Sequence, residues 1–240
     1  MKDYLLDLVE HTHDLGCIDL IKIVGDDKST AINGLATDVS VVLQAQYKSP
    51  VPEFIGTFGM PNLGKLKILL NLPEYRENAE LSITKKTDGT PEGIEFVNAA
   101  RDFRNSYRFM SSQVVNEKLK TAKFRGVNWQ VEFEPTVAAI QRLRMQAQAN
   151  AEEPNFTVRI DKGDLKFYFG DHSTHAGEFV FQSGVKGTLK HSWAWPVAQV
   201  QNILALTGDK VMRISDEGAA EITVDSGLAV YTYIMPALTK

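Results

Sequence analysis

The same succession of secondary-structure signals runs twice along this 240-residue sequence, and that repetition constrains the fold more than any single motif. The first pass opens with a helix predicted over Asp3 to Leu15, where Tyr4, Leu5, Leu8, Thr12 and Leu15 share one side at 3.6-residue spacing and Asp7, Glu10 and Asp14 project from the other. Strands are expected at Ile18 to Val24, Ala31 to Ala36 and Val39 to Tyr47, then a short one at Phe54 to Phe58. A helix entered at Pro61 follows, with Leu63, Leu66, Leu69 and Leu70 as its stripe and Lys65 and Lys67 on opposite flanks. Strands at Glu80 to Lys86, Gly93 to Ala99 and Ser106 to Ser112 end the pass.

The second pass begins with a strand at Gly126 to Glu132 that leads into Glu134-Pro135 and a helix running to about Asn150, whose inner side reads Val137, Ile140, Leu143 and Ala147. Strands at Phe156 to Asp161, Leu165 to Gly170 and Gly177 to Ser183 precede a proline-led helix, Pro196 to Leu206. Strands at Lys210 to Ser215, Ala219 to Val224 and Gly227 to Met235 close the chain. Between the passes, MSSQVVNEKLKTAKF (110–124) contains neither Gly nor Pro and no clean period. The expected organisation is an α+β molecule of two duplicated domains, residues 1–112 and 125–240, joined by a connector at 113–124. In each domain two amphipathic helices cover one face of antiparallel sheet.

Composition narrows the function. Apolar residues make up 43% and charged residues 23% of the chain, as in folded soluble proteins. The single Cys17 reads as a small buried hydrophobe suited to a reducing cytosol. Acidic residues inside the first apolar segment argue against a signal peptide. Residues 191–208 lack Asp, Glu, Lys and Arg but contain Pro196, Gln199, Gln201 and Asn202, so a short helix is expected there and no membrane span. A net charge of −4 is unlike that of a generic nucleic-acid binder; any DNA contact must use cations segregated on one surface.

No enzyme signature is present. His11 and His13 are two residues apart on a helix, cannot converge on a metal and read as surface or boundary residues. Asp171, His172 and His175 form an incomplete ligand set, which makes a metal-dependent hydrolase a remote alternative. Gly56, Gly59 and Gly64 follow no phosphate-loop order. Ser183 and Ser192 lack the context of a nucleophile. No cofactor is expected.

The stretches NLGKLKILLNLPEYRENAELSI (62–83), EPTVAAIQRLRMQAQ with FTVRIDKGDLKFYFG, and AVYTYIMPAL resemble the sliding-clamp family, most closely the trimeric replication clamps of T4-like bacteriophages. The resemblance implies a homotrimeric ring around duplex DNA in the cytoplasm of the host cell, opened by a clamp-loader ATPase and holding the C-terminal tail of a DNA polymerase. By position it assigns Lys2, Lys65, Lys67, Arg142 and Arg144 to the DNA-facing helices. It pairs the edge strands Asn105 to Ser111 and Glu178 to Gln182 of neighbouring subunits, with Tyr107, Phe109, Phe179 and Phe181 as contributors. It also implies an apolar partner pocket from Leu35, Val39, Val114, Val115, Leu119, Tyr233, Ile234 and Pro236, with Lys118, Lys120 and Lys123 on the outer rim. The acidic face of the first helix departs from this pattern. The competing expectation is an α+β assembly protein that oligomerises through edge strands without touching DNA.

Overall fold

The computed structural model describes residues 1–120, 124–171, 173 and 175–238. The chain divides into two compact units, Met1–Lys123 with Ser226–Tyr231, and Phe124–Asp225 with Thr232–Lys240.

In the first unit α1 (Lys2–Glu10) is followed by β1 (Leu20–Gly25), β2 (Thr30–Leu35), β3 (Val42–Tyr47), β4 (Gly56–Pro61), α2 (Leu63–Asn71), β5 (Glu80–Lys85), β6 (Pro91–Val97), β7 (Arg104–Arg108) and α3 (Ser112–Lys118). The sheets run β4-β1-β2-β3 and β5-β6-β7, with every pair antiparallel. All four stripe leucines of α2 are buried, as their spacing requires. Leu5 and Leu8 of α1 join them in the core, and the two helices pack on each other.

Several boundaries differ from the sequence expectation. The first helix stops at Glu10, and a 3₁₀ turn, His13–Leu15, carries the chain to Gly16 in the left-handed region. Pro61 ends β4 and does not start α2; Asn62, also left-handed, caps the helix by accepting the Lys65 N–H at 3.3 Å. The connector begins with α3, which packs in the first unit: Val115 is buried, and a Cβ on Gly59 would lie 2.8 Å from it. Gly59 is required by that approach. His11 is buried, not a boundary residue, because its ring stacks on Tyr231 at 4.5 Å between centroids.

The second unit contains β8 (Val131–Phe133), α4 (Val137–Ala149), β9 (Asn155–Asp161), β10 (Asp164–Gly170), β11 (Ala176–Gln182), β12 (Trp193–Pro196), α5 (Val197–Ala205), β13 (Asp209–Ser215), β14 (Ala219–Asp225) and part of β15 (Ala229–Pro236). Its strands are ordered β11-β10-β9-β12 and β15-β14-β13-β8. Val197, Val200, Ile203 and Leu204 of α5 are buried as expected. On α4 the buried residues are Ala139 and Leu143, whereas Val137 is exposed because the helix begins there.

The duplication extends to strand order. β4-β1-β2-β3 of the first unit matches β12-β9-β10-β11 of the second, and the meander β5-β6-β7 matches β13-β14-β15. Even the edge finishing repeats. After β7, Met110 exchanges hydrogen bonds of 2.8 and 2.9 Å with Gly59 on β4; after β15, the Leu238 N–H donates to Ala194 O on β12 at 2.9 Å.

Candidate nucleic-acid interface and strand edges

The five cations assigned by position have different surroundings. Lys65 is exposed on α2 and its side chain makes no ion pair among the described residues. Lys67 is held by Asp14 at 2.7 Å. Lys2 is turned back onto the fold, its Nζ donating to Tyr75 O at 2.6 Å and Arg76 O at 3.1 Å. Of these three, Lys65 carries charge into solvent without a protein partner.

In the second unit, α4 and α5 contain Arg142 and Arg144 and no acidic residue. Arg144 is exposed beside a groove between the helices that Gln148, Gln199 and Gln201 also line. Arg142 is exposed but not directed away from the sheet as the helix period suggests: its Nη1 donates to Val180 O on β11 at 3.1 Å, with the guanidinium 5.4 Å over the Phe179 ring. A long side chain with planar donors reaches from the flank of the helix to the strand beneath it.

β7 and β11 are edge strands. The aromatics expected at a subunit contact, Tyr107, Phe109, Phe179 and Phe181, all point into their own cores. Alternation sends Arg104, Ser106 and Arg108 of β7 and Glu178 of β11 outward instead. Tyr107 donates its hydroxyl to Pro61 O, and burial raises its pKa well above the usual tyrosine range. What these edges offer is backbone flanked by polar side chains.

The apolar partner set divides similarly. In the first unit Leu35 and Leu119 are half-buried, Val39 and Val114 are exposed, and Val115 is core. In the second unit Pro236 is exposed, whereas Tyr233 and Ile234 are buried; alternation accounts for Tyr233, which shares a face with Met235, and Ile234 on the opposite face is covered as well. Val39 is half exposed, at 53%, with φ 62°; a β-branched residue in that region is strained. The Lys22 Nζ to Asn116 Oδ1 hydrogen bond, 3.4 Å, brings α3 beside β1, and Lys22 lies across from Asn33 on β2, two residues from Leu35. Lys118 and Lys120 are exposed; Lys123 lies outside the described residues.

The acidic side of α1 is less acidic than its sequence implies. The Asp7 side chain is only 10% exposed, and its Oδ2 accepts the Tyr231 hydroxyl at 2.7 Å. With Asp14 neutralised by Lys67, Asp3 and Glu10 remain. Periodicity could not have revealed the Asp7 contact, since its donor is 224 residues away.

Among the described residues no group of three metal-ligating side chains occurs, and no helix is long and apolar enough to cross a membrane. His172 of the candidate ligand set lies outside the described residues; the Asp171 carboxylate accepts the Ser173 N–H at 2.7 Å and its hydroxyl.

No family model and no curated protein matches the sequence. The fold has solved counterparts over nearly its whole length. It is similar to PCNA from Thermococcus kodakaraensis (TM-score 0.67, 10% identity, 99% of this chain and 97% of that one). It is similar to A. fulgidus PCNA, solved with the C-terminal region of FEN-1 bound (TM-score 0.71, 8% identity, 100% and 97%). It is also similar to Proliferating Cellular Nuclear Antigen from Entamoeba histolytica (TM-score 0.70, 11% identity, 97% and 94%). The chain has the duplicated α+β fold of a DNA clamp.

Proposed function

We propose that this chain is a sliding clamp of the kind used by T4-like bacteriophages. Three copies close head to tail around duplex DNA, a clamp-loader ATPase opens the ring, and the ring tethers a replicative polymerase in the cytoplasm of the host cell. It works by topology and not by catalysis.

The observation that carries this reading is an asymmetry between equivalent edges. In the first unit the outer edge of β3 is occupied by residues 226–231, and the Lys48 N–H donates to Leu228 O at 2.9 Å. β11 is the counterpart of β3 in the duplication, yet among the described residues no strand pairs with its outer edge. The counterpart of β15 is β7, which is also an edge. Repeating the internal arrangement therefore places β7 of one copy on β11 of the next, a heterologous contact that closes into a ring when the rotation allows.

DNA contact needs only diffuse charge once the duplex is threaded, since phosphate attraction carries no sequence information. Lys65 and Arg144 are the principal contributors, with Lys67, Lys2 and Arg142 tied to protein groups in the free chain. For the polymerase tail, the exposed Val39 and Val114 and the half-buried Leu35 and Leu119 are the proposed docking residues of the first unit, supported by the position of α3 beside β1. Sedimentation equilibrium tests the assembly. A trimer of 26.7 kDa subunits is expected; a monomer at every concentration, a dimer or an open filament would refute the ring.

A further inference from the structure

Three side chains on one stripe of α4 and its C-cap, Arg142, Gln146 and Asn150, run along the edge strand β11. Arg142 donates to Val180 O at 3.1 Å, and Gln146 Nε2 donates to Glu178 O at 3.3 Å. Asn150 Nδ2 bonds Gln146 O at 2.7 Å and Gln146 Oε1 at 3.0 Å, which steadies the stripe. The strand is shaped for this approach: a Cβ on Gly177 would lie 2.6 Å from Asn150 Nδ2 and 2.8 Å from Gln146 Oε1. Residues 178 and 180 are two apart, so their carbonyls point the same way along the strand. Charged side chains that cover an unpaired edge are a recognised protection against unwanted strand addition.

We infer that Arg142 and Gln146 form a removable cap on β11, occupying the carbonyls that an added strand must use. The inference rests on the ring reading for the identity of that strand, β7 of a second copy. When β7 adds, the guanidinium leaves Val180 and is free to extend from α4 near Arg144, so assembly would deliver a second arginine to the helix surface. Arg142 is thus a positioning residue for assembly first and a phosphate contact only afterwards.

The test is self-association of full-length Arg142→Ala and Arg142→Met by sedimentation, with thermal unfolding as the folding control. Met keeps an aliphatic stem over Phe179 without the donors, and it serves if the Ala variant is misfolded. Loss of one charge-assisted hydrogen bond that competes with assembly should tighten association about tenfold. Unchanged or weaker association in a folded variant overturns the cap. If the wild-type protein never associates, the ring reading fails separately. The cap then stands only if the variants self-associate where the wild type does not, and it falls if they too remain monomeric. Reduced DNA retention with unaltered association would make Arg142 a simple phosphate contact and would also overturn it.

Discussion

The Tyr231 hydroxyl donates to Asp7 Oδ2 at 2.7 Å while its ring stacks on His11, the residue that caps α1 four positions later. A carboxylate that the helix period assigns to solvent is thereby part of the core of the first unit. Removing the donor leaves a largely buried charge with one partner fewer, so Tyr231→Phe should cost about 1–3 kcal/mol. Urea unfolding should show a lower midpoint at unchanged slope; a midpoint equal to wild type would mean that the hydrogen bond contributes nothing.

Val39 sits at the third position after Ala36, to whose carbonyl it donates at 2.9 Å, with φ 62°. Relief of that strain should make Val39→Gly more stable by about 1 kcal/mol. If the exposed isopropyl group docks a polymerase tail, the same variant should bind a tail peptide more weakly in fluorescence anisotropy. Greater stability with full affinity would remove Val39 from the docking set.

Arg213 lies between two carboxylates on adjacent strands, Glu132 at 2.6 Å and Glu221 at 3.1 Å. Glu221 is buried, and Arg213 is its ion-pair partner across the ladder. Arg213→Met should destabilise the protein by about 1–3 kcal/mol, toward the low end because the guanidinium is partly solvated. Adding Glu221→Gln should recover much of the loss. Additive losses in the double variant would show that the pair is not coupled.

Acid should loosen the loops around Asp216. Burial opposes its charge, but the N–H groups of Lys190 and His191, at 2.8 and 3.1 Å, hold its pKa below the ordinary 3.8. A depressed folded-state pKa stabilises fully above the unfolded value and is lost as pH falls through the folded one. The stability gap between wild type and Asp216→Asn should therefore be full at neutral pH and close below about pH 4. A gap independent of pH would exclude this contribution.

The order of elements was legible because α2 and α5 present clean apolar stripes and the strands are separated by turn residues such as Asp88-Gly89. β12 was hidden inside WAWP, where Pro196 reads as a helix start but closes the strand. α3 buries only Val115, too little for a periodic signal. The site was less legible for a physical reason. Alternation shows that Tyr107 and Phe179 share faces with other apolar residues, but a core face and a contact face look alike in sequence. Charge position likewise cannot show that Lys2 and Arg142 bend back to backbone carbonyls, since those acceptors are remote in the chain.

Topological retention tests the central claim most directly. The protein, loaded by its ATPase onto nicked circular DNA, should stay bound through gel filtration at about 0.15 M salt, where phosphate contacts are heavily screened. Cutting the circle should release it from the free ends. Tight binding that survives linearisation, or that needs no loader, would contradict a ring threaded by DNA.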